Sequence, residues 1–345
     1  MADHNESTPS RLEVAAVVSF YMVAALVMVF VNKAVLNSTP DLPFSFLFIQ
    51  LFIAVILLHI GSLITSSPLG SFFPGSVELP AFDINVFRKL IPVVSVGVLG
   101  LALNTLCLRG VDASFFQIAR GLLLPLTILV SSVQSGSFPR GPVLQAAAIV
   151  TAGFFVGVSP SSYFSSHTAL DVSILPLIYG FLSSLMTAIH AVLVKSAHGH
   201  VGGSVIKLTY WTNVMSALGM IPFIAFNGEV PLLLDYITNG GEPLRVLVIG
   251  SAVTGVFGFA LCMAGIISIK VTSPITHMFS SAARSVLQTV LGVIIFGDVV
   301  VLNRASSILV ITTGTLYYTW VKFGGAAPRP PTKQPEPDLE KQQKE

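Results

Sequence analysis

The chain has 345 residues, of which 53% are hydrophobic and only 10% charged, against roughly 25% charged in a soluble globular protein. Four of the charges fall in residues 1–13 and nine in residues 322–345, so the stretch between is poorer still, which excludes a soluble enzyme and points to a membrane-embedded body. A net charge of +2 is too small to argue for nucleic acid as a partner.

A helix that crosses a bilayer needs about 20 apolar residues. Runs of this kind predict ten helices, over 13–36, 44–65, 88–109, 113–134, 141–158, 172–195, 204–227, 244–268, 274–296 and 301–321. Turn-forming residues separate them: Thr39-Pro40, Pro74-Gly75, Pro139-Arg140-Gly141-Pro142, Ser159-Pro160 and Asn239-Gly240-Gly241. The expected class is therefore an all-α polytopic membrane protein. Its body, 13–322, lies between an N-terminal tail, 1–12, that lacks the basic start of a cleaved signal peptide and a Pro-, Lys-, Glu- and Gln-rich tail, 323–345, whose composition predicts disorder.

Counting basic residues on alternate sides of ten spans sets the orientation. The side with both termini collects 12 of the 18, from Arg11, Arg88 and Lys89 through Lys195 and Lys207 to the tail, and the opposite loops hold Arg109, Arg245 and Arg304. Both termini are thus expected in the cytoplasm. Five helices followed by five more would place the second half upside down relative to the first, as inverted repeats over about 13–158 and 172–321. Two pairs of segments carry that reading: Val111-Asp112-Ala113-Ser114 with Arg120 against Val271-Thr272-Ser273-Pro274 with Arg284, and Asn32-Lys33 against Val194-Lys195. Inverted halves that rock around a midplane site are a known route to alternating access.

The acidic residues all lie in tails, loops or helix ends, which disfavours a carboxylate proton relay or an intramembrane aspartyl protease. Cations do remain inside the spans. Arg120 and Arg284 lie seven and ten residues into their predicted helices, deeper than a snorkelling end residue. A cation at the bilayer centre costs at least ~2.5 kcal/mol, and a guanidinium presents a planar fork suited to phosphate oxygens. A water-filled cavity whose missing anion is the substrate accounts for both. Lys33 and Lys195 lie near helix ends, where facing the cavity and snorkelling are both open.

On the ninth helix His277, Ser280, Ser281 and Arg284 follow at i, i+3, i+4 and i+7, one polar stripe on an apolar helix that opens with Thr272-Ser273-Pro274. Such a stripe faces a cavity rather than lipid. On the seventh helix Tyr210, Trp211, Thr212 and Asn213 form an aromatic and amide cluster able to stack on a nucleobase and pair with its edge, or else to sit in an interfacial belt. The spacing Gly153-x-x-x-Gly157 is expected to allow close helix packing. Cys107 and Cys262 lie 155 residues apart in apolar runs, as free thiols. With no Walker loop, HExxH, nucleophile elbow or Cys/His spacing in the chain, no cofactor, metal or catalytic centre is expected.

Together these segments resemble the nucleotide-sugar transporter and triose-phosphate translocator branch of the drug/metabolite transporter superfamily, and within it the Golgi GDP-fucose transporters. The likeness is carried by Asn32-Lys33 after MVFV, by VDASFFQIAR ending at Arg120, by LTYWTN over Leu208–Asn213, by KVTSPITHMFSSAAR over Lys270–Arg284 and by Tyr318-Thr319-Trp320-Val321. It implies ten helices in inverted five-helix repeats and exchange of a cytosolic nucleotide sugar for a nucleoside monophosphate in the Golgi, with an ER location left open. It also implies base contacts from Tyr210, Trp211, Thr212 and Asn213 and phosphate contacts from Arg284, with Arg120 assisting and Lys33 and Lys195 at opposite gates. Two departures from the family pattern are visible: Thr212 stands where an amide is usual, and Ser281-Ala282-Ala283-Arg284 replaces Gly-Thr-Ala-Lys. The partners expected are the nucleotide sugar, the monophosphate and membrane lipids, with a homodimer left open. GDP-mannose, a UDP-sugar and a triose-phosphate-like metabolite are the rival cargoes. A membrane-embedded glycosyl-transferring enzyme is the rival of another class, and it would need a buried acid or an acidic metal-binding loop.

Overall fold

The computed structural model describes residues 11–67, 77–159, 174–271 and 274–323, with side chains at most of them but not at 11–15, 114, 195, 262–282 or 323. Every regular element among the described residues is a helix: α1 (Arg11–Ser38), α2 (Pro43–Thr65), α3 (Ile84–Gly110), α4 (Ala113–Ala119), α5 (Leu123–Ser135), α6 (Gly141–Val158), α7 (Ile174–His200), α8 (Val205–Phe226), α9 (Glu229–Asn239), α10 (Glu242–Val271), α11 (Pro274–Phe296) and α12 (Leu302–Phe323). Seven are long and apolar enough to cross a membrane when α4 and α5 are taken as one, and α8 with α9 makes an eighth, bent by 92°. The two tails lie outside the described residues, apart from the first residues of α1 and the last of α12.

Two of these elements depart from the sequence expectation. The run expected as one helix over 113–134 is broken at Arg120, Gly121 and Leu122. The cause is local, because Pro125 has no N–H to return to the Gly121 carbonyl and its ring crowds that turn. The chain recovers with a bond from Gly121 N to Ile118 O and another from Leu123 N to Arg120 O. The second departure is α9, in a stretch expected as loop. Gly228, at φ +70°, turns the chain sharply out of α8 and starts it.

Large apolar side chains such as Leu63, Val133, Phe155, Phe226 and Leu309 are exposed around the outside, as a lipid-facing surface requires. Inside, the helices meet through small residues. A Cβ at Gly153 would lie 3.0 Å from Ile311 N, and one at Gly314 2.6 Å from Val150 Cγ2, so α6 and α12 approach as the Gly153/Gly157 spacing predicts, and Ser307 Oγ donates to Gly153 O at 2.6 Å. Cys107 is a buried free thiol; the Cys262 side chain is outside the described set.

The packing pairs follow a pattern. The most extensive are α3 with α7, α6 with α12, α1 with α10 and α2 with α8. When the ten long segments are numbered in order, with α4–α5 as one and α9 omitted, moving each member of any of the more extensive pairs five places returns an observed pair, although smaller contacts such as α1·α3 and α2·α3 have no such counterpart. Thus α1·α10 maps to α3·α7, α2·α10 to α3·α8, α5·α7 to α1·α11 and α11·α12 to α5·α6, while α2·α8, α6·α12 and α4·α11 map to themselves.

Candidate functional site

The helix break leaves Arg120 at a joint rather than on a helix. From there it lines a cavity of about 510 Å³ enclosed by α1, α2, α3, α7, α8 and α10, within the 300–1,000 Å³ usual for small-molecule sites. Asn32, Gln50, Asn104, Thr105, Thr187, His190, Thr212, Asn213 and Ser216 supply its other polar groups, and Met28, Leu47, Leu51, Leu101 and Met186 its apolar wall. The lining residues on helices lie inside them, at least a turn from either end, and carriers hold cargo between helices in this way.

Within the described residues Arg120 has no carboxylate. Its Nε is buried without a hydrogen-bond partner, and its guanidinium lies 5.5 Å from the centroid of the Phe116 ring. Arg284, on α11, which packs against α4, is near enough to act on Arg120 electrostatically. Two like charges meeting beside an apolar wall repel, and an anion between them removes that cost. Arg284 is itself half-buried. The side chains of His277, Ser280, Ser281 and Lys195 lie outside the described set.

Of the seventh-segment cluster, Thr212 and Asn213 line the cavity and the aromatics do not. Asn213 Nδ2 donates to Thr209 O at 2.8 Å, which turns its Oδ1 outward as an acceptor, and Thr212 Oγ1 donates to Leu208 O at 2.9 Å. Trp211 is only 4% exposed, packed against Phe82 and Phe87 with centroids 5.7 and 6.4 Å away. Tyr210 meets the His59 ring at 5.5 Å in an edge contact. One helix turn carries both roles, packing on one side and polar contact on the other.

Lys33 is buried with its ammonium on the last carbonyls of α3, 3.0 Å from Leu108 O and 3.3 Å from Arg109 O. A cation at a helix C-terminus satisfies carbonyls that have no helical partner and complements the dipole. It belongs to a set of buried polar links at this end of the bundle. Arg304, stacked 4.6 Å over Phe115, pairs with Asp112 at 3.0 Å. Gln288 donates to Ala113 O at 2.9 Å, and Asn303 to Ser159 O at 2.9 Å. Glu229 accepts from Phe44 N at 3.1 Å and Ser45 N at 2.6 Å. At the opposite end the described links, such as Lys207 with Glu78 at 3.7 Å, are more exposed.

Sequence reasoning missed Gln50, Asn104 and His190. Each is a lone polar residue in an apolar run, a signal weaker than a charge but of the same kind, because polar side chains within spans turn toward partners or cavities.

Comparison with known proteins places the chain among transporters. Residues 12–319 match the Triose-phosphate Transporter family. The chain is 28% identical to GDP-fucose transporter 1 of Mus musculus, over 90% of this chain and 84% of that one. It is 30% identical to GDP-fucose transporter 1 of Monosiga brevicollis, over 81% of each, and 29% identical to the Drosophila melanogaster protein named GDP-fucose transporter, Golgi, over 93% and 94%.

Proposed function

The chain belongs to the Triose-phosphate Transporter family and is a membrane transporter rather than an enzyme, and on that premise we propose that it is a Golgi antiporter importing a nucleotide sugar, GDP-fucose, in exchange for GMP. The observation that carries the proposal is Arg120. Its guanidinium has no carboxylate partner among the described residues, sits at a helix break on a cavity between the helices, and feels a second cation, Arg284. Diphosphate oxygens would supply the missing charge, as bidentate guanidinium contacts favour. Monophosphates of the same base would hold the same contacts on the return. The names of the relatives support the choice of guanine and fucose.

The architecture proposed with it has ten spans, adding α11 and α12 to the strongly apolar segments, in a body over 13–322 with both termini cytoplasmic. Two inverted repeats, about 13–158 and 172–321, are supported by the packing pairs that reproduce themselves on a shift of five segments. Arg120 and Arg284 bind phosphate, with His277, Ser280 and Ser281 on the Arg284 stripe beside them. Thr212 and Asn213 contact the base, Tyr210 and Trp211 hold the helix that presents them, and Lys33 and Lys195 act at the two ends. Proteoliposomes preloaded with GMP provide the test. Labelled GDP-fucose should enter faster than into empty vesicles, and equal rates would refute exchange.

A further inference from the structure

Gln50 of α2 lies on the cavity wall with its amide already committed. Nε2 donates to Asn32 Oδ1 of α1 at 2.8 Å and to Thr254 Oγ1 of α10 at 2.6 Å. Thr254 is 1% exposed and donates in turn to Gly250 O at 2.7 Å, so the chain of bonds has one direction. Both hydrogens of Gln50 are in use, and its Oε1 remains as an acceptor. Asn32, whose oxygen is taken, keeps its N–H2 as donor. Both residues line the cavity and Thr254 sits behind them.

A free amide can turn by 180° and satisfy either polarity, so it discriminates little. One held by two partners on two other helices turns only if the Asn32 amide turns with it and the Thr254 hydroxyl swings from Gly250 O at the same time, a concerted change in a buried network that a single free amide does not need. Sugar hydroxyls rotate and both donate and accept, so a pinned amide gains no selectivity over them. A nucleobase edge has fixed, planar polarity. We propose that the Asn32–Gln50 pair, held by Thr254 as a positioning residue, is a specificity-determining element that reads the donor and acceptor pattern of the cargo's base, opposite in kind to the phosphate contacts of Arg120. In guanine an N–H beside a carbonyl would meet Gln50 Oε1 and Asn32 N–H2 respectively. The inference rests on a nucleotide cargo, though not on which base it carries.

The test is binding of GMP, IMP, AMP, UMP and CMP to the purified full-length protein, wild type against Gln50→Leu and Thr254→Val, by isothermal titration and ligand-induced thermal shift. A matched base contact supports ~10–100-fold discrimination. Gln50→Leu should therefore flatten the wild-type ranking by about that factor while phosphate-dependent binding persists, and Thr254→Val should flatten it partly, with the Gln50 side chain still present. If the wild type ranks the bases and both variants lower all affinities equally, the base-reading role is overturned and the transport reading stands. If no nucleotide binds the wild type, the nucleotide cargo is refuted and this inference with it. Should Gln50→Leu fail to fold, the ranking of Thr254→Val decides: an unchanged order refutes, and a flattened one supports.

Discussion

The N-terminus of α2 cannot cap itself. Its N-cap residue is Leu42, which has no side-chain acceptor, and its first residue is Pro43, which leaves the amides of Phe44 and Ser45 without helical partners. The acceptor comes from 184 residues away, where both oxygens of Glu229 take those amides at 3.1 and 2.6 Å, and Asn227 Nδ2 steadies Oε1 at 2.9 Å. Glu229 is wholly buried and starts α9, so one carboxylate fixes α2 to the bend after α8. Replacement by Ala removes two charge-assisted bonds at ~1.5–3 kcal/mol each, and the favourable charge at a helix N-terminus is lost as well. The minimum is ~3 kcal/mol.

At roughly 2 °C per kcal/mol for a large chain, Glu229→Ala should lower the unfolding midpoint in detergent by ~6 °C. Glu229→Gln keeps one carbonyl oxygen and turns an N–H2 toward the other amide, so it should lose about half as much. The measurement is a thermal unfolding series on wild type, Gln and Ala, each verified as monodisperse. A midpoint for Glu229→Ala within about 1 °C of wild type would show that water replaces the carboxylate without cost, and the non-local cap would be refuted as a source of stability.

Arg120→Met should remove nucleotide binding yet leave the unfolding midpoint of the ligand-free protein unchanged or raised, since it deletes a cation with no carboxylate partner; a large destabilisation with binding intact would overturn the anion role. Arg284→Ala should abolish uptake in proteoliposomes without loss of fold, and wild-type uptake would refute the phosphate assignment. Trp211→Ala should destabilise by ~3–5 kcal/mol through its cavity against Phe82 and Phe87, whereas Asn213→Ala should weaken nucleotide binding at unchanged stability, both read by thermal shift with and without GMP. Gly157→Leu, whose side chain would collide with Ile118 and Ser307, should force α6 and α12 apart and lower the midpoint by ~1–3 kcal/mol equivalent.

The ten apolar runs were legible because hydrophobicity is read over about 20 residues, and α2, α6 and α11 end within two residues of their predicted limits. Arg120 and Arg284 were legible for the converse reason, as cations in runs where nothing local neutralises them. The break at Arg120 could have been read from Gly121 and Pro125, but apolarity continues across it and masks the lost backbone bond. The facing of Trp211 away from the cavity was not legible, because it depends on Phe82 and Phe87, more than a hundred residues earlier in the chain. Lys33 and Glu229 show the same limit: each meets backbone groups of a distant helix end, and no periodicity in the sequence records such a partner.

The two ends of the bundle are unequal, and this bears on why the proposed carrier would exchange rather than leak. At the end holding Asp112, Glu229 and Arg304, the described links are largely buried and cross between helices from both halves of the chain. Opening that end exposes several charge-assisted bonds at once, each contributing ~1.5–3 kcal/mol when shielded from water. In the empty protein the charge of Arg284 bears on Arg120 with no carboxylate between them among the described residues, and a helix rearrangement that brings the two closer or dries them further would add to the cost. A bound phosphate neutralises the pair. It would lower the barrier for a loaded transit to the extent that it stabilises the moving state more than the resting one, because only differential stabilisation changes a rate. In the proposed carrier, exchange would then be favoured by the charge balance around Arg120 and Arg284.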